Sequence, residues 1–94
     1  MKNAKVIFGP EVDAAILALI DYVELDEIPT VLNFLEHIQE RLVKTLSTFP
    51  EGGSRFQGPV RMKVVEKYTF LYEYHADSNE VHILDMKGPG QNWR

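Results

Sequence analysis

The chain has 94 residues, a formal net charge of -4 and no cysteine. That length allows one domain, spanning 1–94, with a core but no deep cavity. The missing thiols exclude disulfides and thiolate metal sites, the usual staples of a small secreted domain, so a cytoplasmic location is expected. Residues 1–51 carry four Lys/Arg against nine Asp/Glu, and residues 52–94 carry six against five, so positive charge gathers in the second half. A dedicated nucleic-acid binder is usually more basic. The N-terminal stretch MKNAKVIFGPEV leads into a charged amphipathic segment, which does not read as a signal peptide, and no run reaches membrane-spanning length.

The apolar run Ala4–Phe8, ended by Gly9-Pro10, predicts a short strand. Pro10 suits a first helical turn, with Glu11 and Asp13 at its positive end. Val12, Ile16, Leu19, Ile20 and Val23 recur at helical spacing, which predicts a helix over 10–25. Residues 26–30 break the pattern. Val31, Leu35, Ile38, Leu42 and Leu46 resume it, predicting a second helix over 28–49 that folds back as an antiparallel hairpin. Pro50 to Gly53 stops that helix, and 53–58 reads as loop or irregular extended chain.

Strands are predicted over 60–65, 68–75 and 81–86, joined by tight turns at Glu66-Lys67 and Asp77-Ser78-Asn79, hence antiparallel neighbours. The pattern does not reveal the first strand's partner. Tyr68, Phe70, Tyr72 and Tyr74 share one face at period two. They read either as a stacking platform for bases or as the core face under the helices. The second reading is favoured, because the helices need a partner. The other face then shows Thr69, Leu71, Glu73 and His75, with Arg61 and Lys63 or their neighbours beside it. The expected architecture is α+β: a strand, a two-helix hairpin and a β-meander in two layers.

Few residues suggest chemistry. His75 and His82 fall on consecutive strands; a metal would need a third ligand such as Asp77 or Asp85, and the plainer reading is two polar positions on a solvent-facing surface. The helix carboxylates read as solvated faces. Gly52-Gly53 and Gly88-Pro89-Gly90 lack the features of a phosphate loop. No cofactor and no metal is implied. Arg55, Arg61, Lys63, Lys67, Lys87 and Arg94 are the cations of the β half. Trp93 beside Arg94 pairs two residue types enriched in binding hot spots.

Taken in order, these pieces resemble the RelE/ParE superfamily of toxins from type II toxin–antitoxin modules. The resemblance rests on the first strand, the helical pair closed by LSTFPEGG at 46–53, Arg61, the strand YTFLY at 68–72 and the last strand VHILDM at 81–86. It implies a toxin paired with a cognate antitoxin, as a hetero-oligomer or with a homodimeric toxin, and no membrane. RelE-like members cut mRNA on the ribosome; ParE-like members inhibit DNA gyrase by binding. The nuclease members carry an arginine just after the first tyrosine of the central strand, where this chain has Thr69. The resemblance therefore leans to the ParE side and away from an enzyme. It implies Arg61, Lys87, Trp93 and Arg94 as the target-facing set, and Leu17, Leu32 and Phe34 as antitoxin contacts. An mRNA endonuclease would need Arg61, Lys63 and Arg94 as its basic set. A third reading is a non-toxic binding module of the same fold.

Overall fold

The computed structural model describes residues 2–89, in which two helices lie on one face of a five-stranded sheet. In chain order the elements are β1 (Lys5–Phe8), α1 (Pro10–Ile20), α2 (Ile28–Thr48), β2 (Ser54–Gln57), β3 (Val60–Val65), β4 (Tyr68–His75) and β5 (Glu80–Lys87). Trp93 and Arg94 lie outside the described residues.

Helix α1 starts as expected, with Pro10 in its first turn behind Gly9, but it stops at Ile20, five residues short of the predicted end. No glycine follows to cap it. Instead the amides of Tyr22 and Val23 turn back to the carbonyls of Leu19 and Ile20 at 3.2 and 2.9 Å, and Glu24 is extended. A single 3-10 turn, Leu25–Glu27, then leads into α2. Leu35, Ile38, Leu42 and Leu46 are the buried residues of α2, the stripe that helical spacing predicts.

That stripe meets Phe70 and Tyr72, both with no exposed surface, and Tyr68 and Tyr74 pack against the same core. The aromatic row is therefore core face and not a stacking platform. Burial of a side chain that size stabilises by roughly 1.5–3 kcal/mol, which outweighs any advantage in leaving it wet. Val81, Ile83 and Met86 complete the core from β5. Their spacing breaks strict alternation because the β4–β5 register shifts between Leu71↔Asp85 and Tyr72↔Ile83, leaving Leu84 as an extra residue.

The strand order is β1-β5-β4-β3-β2. Strands β3, β4 and β5 form the expected antiparallel meander. The partner of β1 is β5, in parallel, with Val6 beside Val81. A parallel neighbour needs a crossover, and here the rest of the chain supplies it. The expectation of loop at 53–58 is corrected: Ser54–Gln57 form an edge strand paired with β3 around Gly58-Pro59. All four of its residues are exposed, so no apolar alternation marks it.

Register also decides the faces of β3. Arg61, Lys63 and Val65 stand opposite Tyr72, Phe70 and Tyr68, and opposed residues share a face. Arg61 and Lys63 thus face the helix layer, and their neighbours Val60, Met62 and Val64 join Thr69 and Leu71 on the open side.

The β3–β4 turn holds Glu66 and Lys67 at φ 49° and 73°, a two-residue geometry that matches the twist of a hairpin and favours glycine. A side chain in that region costs about 1–2 kcal/mol, offset in part by the entropy of a glycine. K67G is expected to raise stability by about 0.5–1 kcal/mol. A higher urea midpoint with an unchanged slope would show it.

Candidate functional site

Arg61 is the first residue that both the sequence and its surroundings single out. Its side chain is about one-fifth exposed. The guanidinium donates to the Gly53 carbonyl at 3.0 Å and the Glu51 carbonyl at 3.2 Å, and it lies 3.7 Å from the Glu51 carboxylate. The Gly53 amide in turn donates to the Tyr72 hydroxyl at 2.8 Å. One arginine and one buried phenol thus hold both backbone groups of Gly53. A Cβ at that position would come within 2.6 Å of the Tyr72 hydroxyl and 2.7 Å of the Met62 carbonyl, so only glycine fits. Sequence reasoning named Arg61 but not Glu51, Gly53 or the Tyr72 hydroxyl as its company; nothing in the local pattern carries that three-way contact.

The other candidate cations do not converge on Arg61. Lys63 lies with Arg41, Thr45 and Glu66 along a groove between α2 and β3. Glu66 pairs with Arg41, and that pair is half-exposed and so contributes little. Among the described residues, the cations that register places on the open sheet face are Lys5 and Lys87. They sit at opposite ends of β5's length, roughly 20 Å apart at about 3.3 Å per residue. Thr69 occupies the open face between Val64 and Lys87. The open face is thus apolar at its centre, around Met62 and Leu71, with Val64 53% exposed.

His75 and His82 do meet, with ring centroids 4.5 Å apart. Each also has a carboxylate from its own strand: Glu73 is 3.4 Å from His75, and Glu80 is 3.0 Å from His82. Neither Asp77 nor Asp85 joins them. Among the described residues no group of three or more histidine and carboxylate side chains is arranged to hold a metal ion. The pair is a polar, solvent-facing patch.

The three helix positions suggested for antitoxin contact are all exposed: Leu17, Leu32 and Phe34. Phe34 is partly engaged at home, edge-on to Tyr68 with centroids 6.1 Å apart. Tyr22 and Leu25, in the turn between the helices, are exposed further still. They lie on no periodic stripe, which is why spacing does not single them out.

Two outcomes test the contact at Gly53. G53A is expected to destabilise the domain by about 1–3 kcal/mol through forced overlap, and Y72F by about 1–3 kcal/mol through a buried amide left without an acceptor. Both are read from urea unfolding. Burial pushes the Tyr72 hydroxyl above its ordinary value of 10.0, against the opposing pull of the Gly53 amide and the Arg61 charge. The unfolded phenol loses its proton first, so this stabilisation is complete below pH 10 and falls as pH rises toward the folded-state value. Y72F should therefore lose less stability than the natural chain between pH 9 and about 11.

No protein-family model matches the chain, and no curated protein sequence does. Among solved structures, the chain is similar to a chain in the crystal structure of the toxin–antitoxin complex RelBE2 from Mycobacterium tuberculosis. The TM-score is 0.63 over 97% of both chains, at 15% identity. The likeness spans every element described above, from β1 to β5, and it is a likeness of fold.

Proposed function

We propose that the chain is the toxin of a type II toxin–antitoxin module, neutralised by a cognate antitoxin, and that it acts by binding DNA gyrase, without turnover. Three lines support this. The fold is shared, end to end, with a chain from a toxin–antitoxin complex. The sequence resembles the superfamily in order and spacing. The observation that carries the choice of mechanism is the placement of the cations. An RNA-cleaving site must stabilise charge developing at the scissile phosphate. Here Arg61 is committed to Gly53 and Glu51, Lys63 lies toward α2, and Thr69 stands on the open face where the nuclease pattern has arginine.

In this reading Lys87, Trp93 and Arg94 face the target, joined by Arg61, which also orders the turn that leads into β2. The antitoxin covers exposed apolar helix surface at Leu17, Leu32 and Phe34. Toxin and antitoxin then form the hetero-oligomer in which the module is stored.

Purified protein is expected to inhibit gyrase supercoiling, and W93A to weaken that inhibition roughly tenfold or more. Primer extension on translating ribosomes is expected to show no codon-positioned cuts. Supercoiling left untouched at high excess overturns the gyrase target, and such cuts overturn the binding mechanism. Normal growth on induction without an antitoxin overturns the toxin reading itself.

A further inference from the structure

The helix layer ends in an apolar tip that the described domain leaves uncovered. Leu17 is 65% exposed, Tyr22 92% and Leu25 85%. They lie on the last turns of α1, in the turn that follows and at the start of the 3-10 turn, and exposed Leu32 comes next on α2. Single exposed apolar residues are ordinary on any surface. Four large ones within one stretch of helix and turn mark an interaction surface.

The helix-and-turn segment that forms the tip carries charge of one sign, and one cation from the sheet, Lys87, lines the groove beside Tyr22. No lysine or arginine occurs between Lys5 and Arg41, and the same interval holds eight carboxylates. Asp13, Asp21, Glu24, Asp26 and Glu27 are exposed. None of them takes part in the ion pairs Arg41–Glu66, Arg61–Glu51, His75–Glu73 and His82–Glu80.

An apolar patch inside a predominantly acidic rim selects its partner. Nucleic acid and anionic lipid are repelled by the rim. A second copy, docking by the same tip, would set carboxylates against carboxylates. The complement is a segment with an apolar stripe flanked by lysine and arginine. We propose that this tip is the docking surface for a basic amphipathic helix of another protein. Leu17 and Leu32 also belong to the antitoxin contact above; to that extent the proposal deepens that reading, and the remainder stands on the chemistry of the tip.

The test uses the full chain and two fluorescein-labelled amphipathic peptides of about five helical turns, some 18 residues. Both carry the same leucine stripe; one has lysine and arginine on its polar face, the other glutamate. Fluorescence anisotropy is expected to show the basic peptide binding about tenfold or more tighter than the acidic one. L17S/L25S, which removes apolar surface and leaves every charge, is expected to weaken it about tenfold or more. Because both sites are exposed, the fold should persist, and circular dichroism checks that it does. D21K/E24K supplies the second arm and is also expected to weaken binding. Equal binding of the two peptides, no binding of either, or unchanged binding by L17S/L25S each overturns the proposal. So does a concentration-dependent dimer dispersed by L25S in sedimentation. The growth and gyrase assays are read independently, so either the docking surface or the toxin reading can fail alone.

Discussion

The amide of Gly53 reaches the buried hydroxyl of Tyr72, and much of the sheet's far side depends on that contact. Helix α2 ends at Thr48, and the chain must reverse direction to lay β2 along β3. Phe49 leaves helical geometry at φ -128° and ψ 74°, and the Gly52 amide returns to the Phe49 carbonyl at 2.9 Å. The next residue lands beside a phenol and a strand carbonyl, with space for hydrogen alone. Strand β2 contributes no buried side chain of its own. Its position rests on backbone pairing with β3, fixed by this anchor at one end and by the Gly58-Pro59 reversal at the other. Arg61 is the third member, and its guanidinium neutralises polar oxygens that would otherwise crowd the turn. A residue chosen from the sequence for a partner-facing role is thereby also a structural tie.

The legible parts of the sequence are those where one period dominates. Leu35, Ile38, Leu42 and Leu46 recur at three and four, and all four are buried. Tyr68, Phe70, Tyr72 and Tyr74 alternate, and all belong to the core or pack on it. Strand β3 misleads because both of its parities carry apolar residues. Val60, Met62 and Val64 look like an inward set, yet the two-residue turn fixes the register that sends Arg61, Lys63 and Val65 inward. Long cationic side chains tolerate this because their stems lie along apolar surface while the heads reach polar groups. Strand β2 was illegible because exposure on both faces leaves no alternation to read. The partner of β1 was illegible because nothing local encodes a neighbour seventy-odd residues away. As for the candidate site, the sequence identified Arg61 and the exposed helix residues. The geometry supplied what each one touches.

The two layers also differ in charge. The helices carry carboxylates and exposed leucines, while the cations of the second half are spread over different faces of the sheet. A phosphate-tracking surface would need those cations gathered, and the register scatters them.

The pairing of β1 with β5 has a consequence for how the domain comes into being. The first strand leaves the ribosome early and has no neighbour until the last one emerges, because Val6 lies beside Val81 and Phe8 beside Ile83. Contacts of such sequence separation form late and slow the folding of small domains. Until then the core lacks Val81, Ile83 and Met86, the buried residues that β5 supplies. Chains broken off before residue 80 would lack the strand that closes the sheet on both sides, and would be substrates for proteolysis. Synthesis from N- to C-terminus thus gives a built-in check: what folds is a chain translated through β5.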